Sequence, residues 1–444
     1  MPTPAEIIQA ARFEYGIRPD EARFQGGLLG QLTGPDPLDQ LHPRETTRER
    51  MAELQKLRVR QQELGRNAEE LKQARRALRR HGAQDIMRNL ARMVQNPRGF
   101  RERLFAFWAD HFTVSPKRTN EEYLLGAYLS EAIRPHISGR FAELLKAAVT
   151  HPSMLFYLDQ NASIGPLSPV GQRRGKGLNE NLAREVLELH TLGVDGPYTQ
   201  GDVRQFAALL TGLSIGPEGL RFAQNRAEPG AETILGHSYG GARARIEHIF
   251  DFLEDLAMMP ATAQHLARKL VVHFIGPAPR PELVQAMASA YLAENGALLA
   301  MYEILVNHPT AKAAMFPKVR PPFEYVATVL RALDYSPEAI LNASTGEVRK
   351  LGRALEAMGQ RLFKPRGPDG WPEDAESWIT PPQLAARIAW AGEAARANAD
   401  DPRLLMQAVL GDTAPAPLSF AVSGAETKWE GAALLLVSPA LMRR

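Results

Sequence analysis

Apolar residues recur at helical spacing through most of this chain, and that period constrains its fold more than any other feature. The longest run covers about 44–96, where Met51, Leu54, Leu57, Leu64, Leu71, Ala74 and Leu78 fall near heptad spacing among Arg, Glu and Gln. This predicts a protruding helix or helical hairpin, with its break at Gly65 or at His81-Gly82. Residues 3–22 read as a short helix and 23–43 as a Gly/Pro-rich loop. Helical periodicity then fills 101–212, 246–316 and 322–362. Residues 213–245 are rich in Gly and read as an irregular excursion with Thr233–Leu235 as its strand-like piece. The expected fold is all-α (mainly helical), a multi-helix orthogonal bundle with long Gly/Pro-rich loops and at most a small β-hairpin. Residues 1–444 form one large helical domain in this reading. No internal repeat of fixed period emerges, so a solenoid is not supported.

Composition removes several function classes. The 444 residues include no cysteine, which excludes disulfides, iron–sulfur clusters, thiolate zinc sites and a cysteine nucleophile. Any transition metal would need His, Asp and Glu ligands. A net charge of +3 is small for this length, and there is no zinc-finger spacing, RNP block or Gly-rich phosphate loop. No nucleic-acid partner is expected. No stretch reaches the roughly 18 apolar residues of a membrane span. MPTPAEIIQAARFEYG lacks the charged and apolar regions of a signal peptide, so the chain as written reads as cytoplasmic. An upstream start would add a signal and make the protein an exported one.

The densest polar stretch is NENLAREVLELHTLGVDGPYTQ, residues 179–200. Asn179 is a good N-cap, Glu180 suits a helix start, and Gly193 suits the left-handed residue that closes a helix. At about 100° per residue, Asn181, Arg184, Glu185 and Glu188 share one arc, while His190 lies on the apolar side. The carboxylates and the histidine therefore point apart unless the helix is distorted. Arg184 and Glu188 stand four apart and can pair along the helix. Both carboxylates could equally be a catalytic pair or part of a structural ion-pair network. After the turn, Thr199 and Asp202 resemble a capping box opening a helix over about 200–211.

Three further groups carry chemistry or core packing. In Phe105–Phe112, Trp108 and His111 share a helix face, and a histidine beside Asp110 against aromatic walls could be a base, a metal or cofactor ligand, or a hydrogen-bonded core residue. His265, Arg268, Lys269 and His273 recur at helical spacing and either line a pocket or face solvent. Trp371 and Trp378 sit in a Pro/Gly loop before one last helix, where they either pin the loop to the body or flank a ligand.

FWADHF, HPSMLFYLDQNAS, NENLAREVLELHTLGVDGPYTQGDV, ATAQHLARKLVVHF and GWPEDAESWIT, with ARFEYGIRPDE near the start, together resemble the bacterial family called domain of unknown function 1800. The blocks run in the family's order over nearly the whole chain. The resemblance implies a predominantly helical bacterial protein, often exported and often encoded beside a sulfatase-like family that is itself of unknown function. It implies no reaction. The chain departs from the family pattern at Ala227–Thr233, where a His followed by an acid and Gly-Lys-Thr is expected, and at Lys318-Val-Arg-Pro-Pro322, where a small residue is expected before the proline. His237 could stand in for the missing histidine.

Two functional classes stay open. One is a non-catalytic scaffold or accessory protein, docking a partner such as the sulfatase-like neighbour through the 44–96 arm. The other is a hydrolase-type enzyme, with or without a metal, whose pocket gathers His111, Arg184, Glu185 and Glu188. There a carboxylate would act as base, Arg184 as anion clamp and His111 as acid or metal ligand. Trp108, Asn179, Asn181, His190 and Trp371 are the candidate binding residues around it. No metal or cofactor identity follows from the sequence.

Overall fold

Many of this chain's helices begin at a proline. Pro4, Pro152, Pro169, Pro260, Pro281, Pro322, Pro337, Pro402 and Pro439 each open one. The first helical residue has no intrahelical partner for its N–H, and proline's fixed φ is already helical. A computed structural model describes residues 2–444 apart from 20, 22, 23, 37, 40–42, 65–68, 176, 363 and 399. It is 65% helical, with two small antiparallel sheets, so the fold is mainly α.

The structure moves several sequence boundaries. The first helix is Pro4–Phe13 and stops short of residue 22, because the chain turns extended at Glu14 ahead of Gly16 and Pro19. The 44–96 run consists of Thr47–Leu64 and Glu69–Gln95. His81 and Gly82 do not break the second helix, and Gly65 lies outside the described residues. Arg50 anchors the base of the first helix to Asp85 at 2.7 Å, and Arg75 bonds Gln61 across the two at 3.2 Å. Val59 and Leu64 are exposed farther out. Pro381–Asn398 is not the one last helix expected, since Pro402–Leu410, Ala416–Ser423, Lys428–Leu436 and Pro439–Met442 follow it.

The Gly-rich excursion holds two hairpins. Strand β1 (Leu213–Gly216) pairs with β2 (Gly219–Phe222), and β3 (Gly230–Ile234) pairs with β4 (His237–Gly241). His237 is exposed on β4. Buried apolar side chains form one large cluster between Phe13 and Ala311 and two smaller ones. The large cluster centres on the Gly99–His111 helix, where Phe100 packs edge-on to Phe13 at 5.6 Å and Trp108 is fully buried. Trp108 Nε1 donates to Tyr302 Oη at 2.6 Å, and Tyr302 donates on to the Ile137 carbonyl at 2.8 Å. That helix and the Pro260–Phe274 helix position the site.

Candidate functional site

His111 closes the Gly99–His111 helix and is buried against Phe107, Trp108 and Phe112. Its Nε2 lies 3.1 Å from the His190 carbonyl. A carbonyl only accepts, so Nε2 carries the proton and Nδ1 is a bare lone pair. Nδ1 is buried without a partner. Burial holds the His111 pKa well below its ordinary value, and Lys269, His190 and His265 nearby add to the effect.

The 179–193 segment supplies that carbonyl. Asn179 Oδ1 accepts from the Asn181 N–H at 3.0 Å and its Nδ2 donates to the Leu158 carbonyl, so it caps the helix start, while Asn181 is exposed. Asn181–Glu185 is α-helical, but Val186–Thr191 is wound as a π-helix, a wider turn often found at functional sites. The distortion that would free His190 from its expected orientation is therefore present. The last carbonyls of a helix lack internal partners, and two histidines cap them: His111 on His190 and His265 Nε2 on Leu189 at 3.1 Å. Gly193 follows at φ +90°, where a Cβ would lie 3.1 Å from His265 Nδ1. His190 is itself buried beside the Phe112 ring, with an unpartnered Nδ1 and a pKa lowered to about 3 by burial and then by Lys269 and His265.

Arg184, Glu185 and Glu188 face elsewhere. Arg184 pairs with Glu188 at 3.3 Å and Glu180 at 3.2 Å, half exposed, as the four-residue spacing predicts. Glu185 has no hydrogen bond or ion pair among the described residues, and its pKa is raised by burial, then by Glu188 and Asp369. Among the described residues no hydrogen bond joins His111 to Glu185 or Glu188. Nor can any group of three His, Asp or Glu side chains there hold a metal ion.

What the fold does assemble is a site around Asp110, one residue before His111 and turned the other way. Asp110 accepts the Trp371 N–H at 3.0 and 3.2 Å. The preceding Gly370 has φ +85°, and a Cβ there would stand 2.7 Å from Asp110 Oδ1, so only glycine lets the loop approach this closely. Trp371 is half-buried, 5.9 Å from the ring of Trp378, whose indole N–H pins the loop by donating to the Pro372 carbonyl.

His265, Lys269 and His273 present one face of the Pro260–Phe274 helix to this region, and Arg268 is exposed. His273 Nδ1 bonds Glu373 at 2.6 Å, Lys318 bonds the other Glu373 oxygen at 2.7 Å, and Arg103 donates to His273 Nε2 at 3.1 Å. Burial would raise the Glu373 pKa, but His273, Lys318 and Arg444 hold it well below the ordinary carboxylate value. Lys269 differs: it has no hydrogen bond or ion pair among the described residues, although Asp110, Glu373 and Asp369 all act on its charge. Burial lowers its pKa despite their attraction. Burial likewise pushes Asp110 up to about 7, against the pull of Lys269 and with added repulsion from Glu373.

Sequence reasoning placed His111 beside Asp110 as a possible pair, but adjacent helical residues diverge, and Asp110 bonds the loop. Asp110, Lys269, Asp369 and Glu373 were not assembled from sequence. The only signal was the spacing of His265, Lys269 and His273. A family profile described as Protein of unknown function (DUF1800) matches residues 9–443. The chain belongs to this family. The match spans the site's helices and the Trp371 loop alike, so the whole arrangement lies within the region that defines the family. No curated protein and no solved structure matches the chain.

Proposed function

We propose that this DUF1800 member is an enzyme that performs acid–base chemistry at Asp110 and Lys269. The observation that carries this reading is Lys269, half-buried on the inward face of its helix and without a hydrogen bond or ion pair among the described residues. Burying a charge is costly unless it is paired, and Arg50 pairs with Asp85, Arg92 with Asp36, Arg134 with Glu102 and Lys318 with Glu373. Lys269 and Asp110 are both pushed towards their neutral forms, and a group that titrates near the working pH transfers protons most effectively. The charges of Asp110, Asp369 and Glu373 act on Lys269, and this acidic setting favours a neutral or cationic substrate over a phosphate or carboxylate. Asp110, protonated through much of the range below pH 7, serves as the acid, and Lys269 orients the polar group that receives its proton. His111 and His190 stand behind them as positioning residues. The test is a panel of neutral chromogenic esters, amides and glycosides, with Asp110→Asn and Lys269→Met assayed on any hit. Loss of about 100-fold or more in kcat supports the assignment; unchanged turnover in both variants overturns it.

A second reading, partner docking, is favoured by one groove. Arg76, Arg79 and Arg80 on the Glu69–Gln95 helix and Arg349 on the Thr345–Ala357 helix line a hollow of about 970 Å³ floored by Met87, Leu341 and Val348. Arg79, Arg80 and Arg349 have no ion pair among the described residues. The groove suits an acidic segment of a protein, and the sulfatase-like neighbour is the partner to try. Arg76→Glu with Arg79→Glu and Arg80→Glu should abolish any salt-sensitive complex between the two; a complex that survives the triple change places the interface elsewhere.

A further inference from the structure

A partly open cavity of about 170 Å³ lies on the other side of Asp110. Phe105, Leu125, Leu129, Phe323 and Leu362 are among the apolar side chains that line it, with Asp110 and Trp371 beside them. Polar side chains also touch it, and most of their polar atoms are engaged within the protein. The Asn89 Oδ1 accepts from Arg44, Glu102 is held by Arg134 and Asn96, Thr113 donates to the Asp110 carbonyl, Tyr128 donates to the Phe112 carbonyl, and Gln360 accepts the Phe323 N–H. Of the side chains around the cavity, the Asp110 carboxyl alone combines a shifted protonation equilibrium with oxygens whose only hydrogen-bond donor is one backbone N–H.

We infer that the cavity holds an apolar ring of the substrate, with the substrate's single polar atom against Asp110. This rests on the acid–base reading above and extends it to a substrate class: neutral or cationic compounds with a six-membered ring and one polar substituent, such as benzylic alcohols or amines. Size supports the ring. An apolar cavity of about 150 Å³ stays dry and takes benzene, so about 170 Å³ accommodates a six-membered ring and little more. Chemistry supports the single polar atom, because a second polar group on the ring would lie among apolar side chains and polar atoms that are mostly engaged already, and would lose its own hydration.

The test uses ¹⁹F NMR of the full chain with two probes, fluorobenzene and 4-fluorobenzyl alcohol. Both should bind, the alcohol more tightly, and Ala109→Met or Leu125→Phe, checked for unchanged melting, should weaken both by tenfold or more by filling the cavity. Asp110→Asn should weaken the alcohol and leave fluorobenzene unchanged. If neither probe binds wild type, or if both cavity-filling variants bind as well as wild type, the ring assignment is overturned. That result leaves the acid–base reading standing if Asp110→Asn still removes activity. If both probes bind and Asp110→Asn affects neither, the cavity is real but the polar atom does not meet Asp110, and the inference fails together with that residue's role.

Discussion

His111 donates from Nε2 to the main-chain carbonyl of His190 at 3.1 Å, so one histidine caps the helix end on which another sits. His265 does the same for Leu189. Protonating either ring leaves its donor bond intact but places a charge in an apolar wall beside Lys269, and burial is the leading reason that both pKa values fall, to about 4 for His265.

Acid sensitivity follows. Folded His190 takes up a proton only near pH 3, whereas the unfolded chain takes it up near its ordinary value of 6.5. Between those values the unfolded state binds more protons, so stability falls as pH falls through this window. His265 and His273, each lowered to about 4, act in the same direction. Denaturant unfolding followed from pH 7 to 4 should show a steep loss of stability, and His190→Gln should make it shallower by close to one proton. An unchanged slope in that variant would falsify the assignment.

Asp110 works with the opposite sign. Its folded pKa of about 7 lies above the ordinary 3.8, so between those values the folded state holds a proton that the unfolded state has released, and stability falls as pH rises. Asp110→Asn should remove this contribution, gaining on wild type progressively from pH 4 to 7 and holding a constant advantage above. Parallel stability curves for the two proteins across that range would place the Asp110 pKa elsewhere.

Lys269→Met should stabilise the protein by about 0.5–2 kcal/mol while abolishing activity, because it replaces a half-buried ammonium that has no ion pair among the described residues with an apolar side chain of similar length. A structural lysine would behave in the opposite way. The measurement is Tm alongside turnover.

Gly370→Ala should cost about 1–2 kcal/mol, since it puts a Cβ at a left-handed position and against the Asp110 carboxylate. It should also draw the Trp371 N–H away. That bond favours the ionised carboxylate, so its loss should raise the Asp110 pKa further, a change visible by carboxyl ¹³C NMR. A variant with wild-type titration would mean that the loop does not control Asp110.

Glu102 accepts from Arg134 at 2.9 and 3.0 Å and from Asn96 at 2.9 Å. Burial alone would raise its pKa, but Arg134 and Arg92 bring it down to about 2. Glu102→Gln should destabilise the protein by about 1–3 kcal/mol, because Arg134 loses its two-oxygen partner in a buried setting and keeps only Asp36, while Arg92 keeps Asp36 and Asp39. Calorimetry at pH 7 decides it, and a loss below about 1 kcal/mol would make the network dispensable.

The sequence by itself determined what depends on neighbours a few residues apart. The mainly helical fold, the Thr199–Asp202 capping box, the Arg184–Glu188 pair and the aromatic core helix around Trp108 were all legible, since each is set by contacts within a turn or two. Only the tertiary structure decided the site. Asp110 and Trp371 meet across 261 residues, the π-wound turn at Val186–Thr191 has no local signature, and the choice of His265, Lys269 and His273 to face inward while Arg268 faces water depends on what packs against that helix. The protonation of Asp110 and Lys269 was hidden for the same reason: it follows chiefly from burial, and burial is a property of the assembled chain.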